Sequence, residues 1–268
     1  MCVVLYRSLQ NIQTNTIMSR LAHKTAVVTG GNSGIGFSTV QAFIEEGAEV
    51  IFTGRNADAN QKVVQALGSK AHGIVSDAGK WEDIQSLKAQ VEAVTPKVDI
   101  LFINAGIAQF APIDQVSEDF FDKILDVNFK GAYFTIQALL PLVNDGGSII
   151  LNTSINAHVG MPGASIYAAS KAALLSLAKN LSAELVSRKI RVNAISPGPV
   201  ATPLHTPEKF GVSEDEFKQI GEGIAAQIPA GRFGAPEEIA SAAVYFASDE
   251  SRFLLGTELI IDGGMATL

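Results

Sequence analysis

A chain of 268 residues with 47% hydrophobic and 18% charged side chains can bury a large core and carries too little charge to stay unfolded. Its net charge of −7 argues against nucleic acid or an anionic membrane surface as partner. The single cysteine, Cys2, excludes an intrachain disulfide framework, and no apolar run approaches the roughly 18 residues of a membrane span. Together these features lead to the expectation of a cytoplasmic protein without membrane or nucleic-acid contacts. No His/Cys/Asp group has metal-ligand spacing, so no metal is expected.

Residues 1–20 show no period and read as a loose extension, with Met18 a candidate alternative start. From 21 to 268 one domain is expected. It opens on the β-branched run 24–29, then Gly30-Gly31-Asn32-Ser33-Gly34-Ile35-Gly36, then apolar residues at helical spacing (Phe37, Val40, Phe43 and Ile44). Strand, glycine loop and helix in that order make a phosphate platform: small residues let backbone approach, and a helix N-terminus attracts an anion. Strand 49–53, helix 57–67 and strand 72–76 repeat the pattern. Trp81, Ile84, Leu87, Val91 and Val94 mark an amphipathic helix.

Residues 98–103 read as a buried strand ending at Asn104-Ala105-Gly106, and 117–143 as one or two helices with Ser117 as N-cap. Strand 147–152, a long helix over 165–187 and strand 190–196 follow. Prolines break regularity from 198 to about 235, where a substrate loop is expected, with helical turns inside 213–228. Pro236-Glu237-Glu238 opens a last helix, and 257–261 is a final strand. The alternation predicts an α/β, doubly wound Rossmann-type domain: a parallel sheet of about seven strands covered on both faces.

Within the long helix, Tyr167 and Lys171 lie one turn apart on one face. An ammonium there is expected to favour the phenolate and lower the tyrosine pKa, preparing a proton donor and acceptor.

The spacing Thr29-Gly30-x-x-x-Gly34-Ile35-Gly36 resembles the T-G-x-x-x-G-x-G signature of the short-chain dehydrogenase/reductase family. Asn104-Ala105-Gly106 resembles its N-A-G turn, and Pro197-Gly198 with Thr202 its P-G-x-x-x-T segment. Asn128, Ser154, Tyr167 and Lys171 fall where that family carries its catalytic asparagine, serine, tyrosine and lysine. The resemblance, covering about residues 22–265, implies an NAD(P)-dependent oxidoreductase acting on CH–OH or C=O groups. It makes Tyr167 the acid/base, Ser154 the hydrogen-bond donor to substrate oxygen and Lys171 the binder of the nicotinamide ribose. Asn128 would kink its helix and help hold a relay water. Cofactor contacts are implied for Gly30, Asn32, Ser33, Gly34, Ile35, Gly36, Arg55, Asp77, Ala78, Asn104, Ala105, Gly106, Pro197, Gly198, Val200 and Thr202, as well as Tyr167 and Lys171. Asp77 and Ala78 would border the adenine and Asn104 its ribose.

The end of the second strand reads Thr53-Gly54-Arg55-Asn56, without the carboxylate that reads a ribose 2′-OH. Arg55 can instead bond a 2′-phosphate, so NADP(H) is expected, with NAD(H) the alternative. Apolar stretches 108–110, 155–158, Met161 and 204–217 suit a small or medium carbonyl or alcohol substrate, with His158 and His205 as candidate contacts. Reduction of 3-oxoacyl groups on an acyl carrier protein is an alternative, disfavoured by sparse basic residues (Lys130, Arg188, Lys189 and Arg191). A non-catalytic nucleotide sensor is another. Alanines and leucines on more than one face of the long helix imply a second buried surface, and the resemblance implies a homotetramer.

Overall fold

The computed structural model describes residues 19–202 and 213–268. The expectations for the first 18 residues, for Pro203, Pro207 and His205, and for most of the 204–217 wall lie outside the described residues.

Seven strands form one parallel sheet: β1 (Thr25–Val28), β2 (Glu49–Gly54), β3 (Ala71–Val75), β4 (Val98–Ile103), β5 (Val143–Asn152), β6 (Arg191–Pro197) and β7 (Glu258–Ile261). Their order is β3-β2-β1-β4-β5-β6-β7, every neighbouring pair parallel. The order reverses between β1 and β4, so the crevice at their C-terminal ends is where such a sheet receives a ligand.

Strands covered on both faces should be apolar on both, and each strand divides its side chains between two cores. Val27, Ile51, Leu101, Ile103, Ile149 and Leu151 point to one side. Ala26, Val28, Val50, Phe52, Phe102 and Ile150 point to the other. The second layer is built on α1 (Gly34–Glu45), α2 (Ala57–Leu67) and a C-terminal helix, Pro236–Ala247. The first is built on α3 (Trp81–Glu92), α4 (Glu118–Leu125), α5 (Ala132–Leu139) and α6 (Ser165–Leu185). In chain order α7 is Glu214–Ala225 and α8 the helix at Pro236. Burying one Phe or Leu side chain contributes about 1.5–3 kcal/mol, so the two apolar layers dominate the stability of the fold.

The expected helical stretch 117–143 divides into α4, a π-helical turn over Asp126–Gly131, α5 and a 3-10 turn at Leu140–Leu142. Ser117 caps α4 as expected, its side chain accepting from Phe120 N–H. The following strand starts at Val143, four residues before the expected Gly147. Pairing with β4 explains this: Val143 stands opposite Val98 and Asn144 donates to Asp99 Oδ1, which holds the pre-glycine residues in the sheet. The long helix ends at Leu185 because its last turn tightens to 3-10 geometry.

Candidate active site

The glycine loop after β1 is locked by one hydroxyl. Thr29 Oγ1 accepts from Asn104 N–H and Ala105 N–H, both at 2.9 Å, joining the ends of β1 and β4. Asn104 Nδ2 returns to Thr29 O at 2.9 Å and Gly30 O at 3.3 Å, while its Oδ1 accepts from Asn152 Nδ2. The Asn104 carboxamide, expected beside an adenine ribose, is therefore committed to shaping the loop. Gly30 has φ +66° and Gly34 φ +53°, conformations that disfavour other residues. A Cβ at position 36 would lie 2.1 Å from Gly30 O. Helix α1 begins beside this loop with no side-chain cap from Ser33 and no acid in its first turn.

At the end of β2, Arg55 is exposed and pairs with no carboxylate among the described residues. Asn32 donates to Asn60 Oδ1 at 2.8 Å, and Asn60 holds Gly54 O and Ile74 O. Asn32 is thus fixed by neighbours under the loop. Asp77 Oδ1 accepts from Gly79 N–H at 3.0 Å, and Ala78 O lies against Gly131, where a Cβ would come within 2.0 Å of it. Beyond β6, Gly198 N–H bonds Ile261 O, and Val200 pairs with Gly234. Thr202 ends the described stretch here.

The four expected catalytic side chains converge at the heads of β4 and β5. Asn128 sits inside the π-turn, buried; its Oδ1 accepts from Ile107 N–H at 2.8 Å, and its Nδ2 donates to Ile107 O and Ser170 Oγ. A π-helical turn in place of regular α-helix surrounds Asn128, the residue expected to kink its helix. Ser170 passes the link on to Tyr167 O at 2.7 Å. Ser154, just past β5, stands close enough to the Tyr167 hydroxyl to lower its pKa. Its Oγ also accepts from Asn156 N–H at 3.2 Å. Phe110 meets the Tyr167 ring edge-on, centroids 5.7 Å apart.

Lys171 is buried, its Nζ 2.9 Å from Asn152 O and 5.9 Å from the Tyr167 ring centre. Burial lowers its pKa to about 8. The expected lowering of the tyrosine pKa does not occur: burial pushes Tyr167 up, and the nearby Ser154 hydroxyl only partly offsets it. Desolvation outweighs an ammonium that is directed to a strand carbonyl.

Sequence reasoning missed Asn152, Ser170 and Thr29 as parts of this site. Asn152 carries Lys171 on its carbonyl and Asn104 on its amide, and its Oδ1 is buried without a partner. An asparagine at the last position of an apolar strand, two residues before Ser154, was the available signal. His158, a candidate substrate contact, instead pairs with Glu258. Ile155 is buried in the fold, so it is no free pocket wall.

The residues present fit a dinucleotide. The cradle at Gly36 closes if a Cβ is added, α1 offers uncapped N–H groups, and an orphaned acceptor stands beside a buried ammonium. Among the described residues no group of three or more His, Cys, Asp or Glu could hold a metal, and no helix is long and apolar enough to cross a membrane.

Known proteins resemble the chain over nearly the whole of its length. A family model described as "Enoyl-(Acyl carrier protein) reductase" matches residues 30–266. An NAD-dependent glycerol dehydrogenase of Listeria innocua is 36% identical over 91% of this chain and 94% of its own length. A 3-oxoacyl-(acyl-carrier-protein) reductase of Thermotoga maritima is 35% identical over 92% and 99%. The solved structure of a short-chain dehydrogenase/reductase from Serratia marcescens, 33% identical, superposes with a TM-score of 0.84 over 92% of this chain and 100% of that one.

Proposed function

The chain belongs to the short-chain dehydrogenase/reductase family, NAD(P)-dependent oxidoreductases, and from that premise we propose that it exchanges hydride between NADP(H) and the carbonyl or alcohol carbon of a small or medium free substrate. The observation that carries the reading is the convergence of Ser154, the Tyr167 hydroxyl and buried Lys171, held on Asn152 O, at the crevice that opens on the glycine loop.

When bound, the nicotinamide supplies or accepts the hydride. Tyr167 gives a proton to the substrate oxygen in reduction and takes one in oxidation. Its raised pKa keeps it protonated near neutrality, which suits reduction. Ser154 donates to the same oxygen as charge develops there. Lys171, fixed on Asn152 O, presents an ammonium to the ribose hydroxyls. Asn128 fastens the π-turn to Ile107 and Ser170 and so holds α6 in register. Phe110, packed on Tyr167, excludes water from one side of the ring.

NADP(H) is favoured because Arg55 is exposed and unpaired among the described residues and no acid ends β2. The NAD-dependent relative keeps NAD(H) as the competing choice. Phe253, Leu255 and Leu268 are exposed apolar side chains, and Ala169 and Ala172 are exposed on α6; both support a homotetramer. A cytoplasmic setting is supported by the single cysteine.

The carrier-protein reading gains from the relative of that name. Yet Arg188 is tied to Asp145, Leu140 O and Val143 O, Arg191 is buried on Ser251, and Lys130 pairs with Asp126. Few cations remain to dock an acidic protein. A panel of ketones, aldehydes and sugars, with acyl thioesters alongside, read by nicotinamide absorbance, tests these readings together. Turnover of free carbonyls supports the first reading, thioester-restricted turnover the second, and cofactor binding with no turnover a nucleotide sensor.

A further inference from the structure

Beyond Ser154 the chain leaves the sheet through a 3-10 turn, Ile155–Ala157, and reaches His158. Backbone bonds hold the start of this segment, since Thr153 N–H meets Ile195 O at 2.7 Å. The turn closes on its own backbone, Ala157 N–H to Ser154 O and His158 N–H to Ile155 O, and side chains from β6 and β7 tie it to the sheet. Thr153 Oγ1 lies 2.5 Å from Ser196 Oγ, Ser196 Oγ donates to Glu258 Oε1 at 2.5 Å, and His158 Nε2 lies 2.5 Å from the same oxygen.

Thr153 Oγ1 donates to Ile195 O at 2.8 Å and also meets Ser196 Oγ, whose own hydrogen goes to Glu258 Oε1. Glu258 Oε1 is met from one side by the Ser196 hydroxyl and from the other by His158 Nε2. One oxygen thus gathers both ends of the segment 153–158, inside which Ser154 stands.

We propose that Glu258 and His158 are positioning residues for Ser154: a single carboxylate on β7 clamps the segment that carries the hydroxyl next to Tyr167. The proposal rests on the assignment of Ser154 to substrate oxygen given above. Neither residue touches the Tyr167–Lys171 pair, so each acts through the segment. Their Coulomb attraction is partly shielded, since the Glu258 side chain is 14% exposed and the His158 side chain 36%. Displacement of about 1 Å at a reacting group can cost about 10²-fold in rate, so a clamp on this segment has kinetic consequence.

Glu258→Ala and Glu258→Gln decide it in the full-length protein, read by amide hydrogen exchange and by steady-state kinetics on a carbonyl substrate from the panel. Glutamine keeps an acceptor oxygen and loses the charge; alanine keeps neither. Expected for Glu258→Ala is faster exchange confined to residues 154–159, with kcat down about tenfold or more and the KM for cofactor within about twofold. Glu258→Gln should recover most of the lost rate and protection. Wild-type exchange and kcat in Glu258→Ala would overturn the proposal, as would a Gln variant no better than Ala with Tm falling and cofactor KM rising in parallel. If the panel gives no turnover, the hydrogen-exchange comparison decides the clamp alone, and the enzymatic reading fails separately.

Discussion

The two sides of the crevice are built from different materials. The β1–α1 side is backbone: two left-handed glycines, a third with no room for a Cβ, and a helix start with no side-chain cap. The β5–α6 side is side chain: a half-buried tyrosine with a raised pKa, a buried lysine, and an asparagine oxygen with no partner. The first suits an anion by shape and by N–H groups that cost little to keep, as the proposed function requires. The second keeps groups that would be more stable in water, because chemistry needs them there.

The largest expected break between the two sides comes from Tyr167→Phe. It should lower kcat by about 10³-fold or more while cofactor affinity, measured by fluorescence titration, stays within about threefold. Retained turnover would sink the assignment of the acid/base. Gly36→Ala should do the reverse, weakening cofactor binding by about 10²-fold and lowering Tm, since the new methyl group meets Gly30 O. A variant that binds cofactor normally would show that the cradle is not where the phosphates sit.

Lys171→Met sharpens the contrast through pH. The folded pKa of about 8 lies below the 10.5 of an unfolded lysine, so the unfolded chain binds more protons between those values. This group's contribution therefore makes wild-type stability rise from about pH 8 to 10.5. Relative to wild type, the methionine variant should be more stable at pH 7 than at pH 10, and nearly inactive at both. Urea midpoints at the two pH values check the sign, and an advantage that grows with pH contradicts it. Wild-type cofactor affinity should also fall as pH rises through about 8, where the ammonium discharges; a flat profile counts against a charged Lys171 as ribose ligand.

The smallest effect is expected at Arg55. Arg55→Ala should cut the kcat/KM ratio of NADPH over NADH by about tenfold, the scale of one charge-assisted hydrogen bond. An unchanged ratio would return the choice of cofactor to NAD(H).

Much of the site was legible because its residues sit at fixed local spacings. Strand, glycine loop and helix are contiguous, and Tyr167 with Lys171 needs only helical geometry to share a face. The seven strands could be read from apolar runs because both faces of the sheet are covered. The π-turn around Asn128 could not, since helical residue types run through 117–143 and nothing in them marks where one extra residue is taken up. Nor could the clamp from Glu258 to His158, whose members stand 100 positions apart.

Chain order and side-chain periodicity by themselves determined the strand–helix alternation, the glycine cradle and the catalytic spacing, because each depends on near neighbours along the backbone. Tertiary structure alone decided how wet each group is. It turned the expected acidic tyrosine into one with a raised pKa, sent the Lys171 ammonium to Asn152 O and left Asn152 Oδ1 without a bond. Desolvation is the sum over everything packed around an atom, and most of that packing comes from distant parts of the chain.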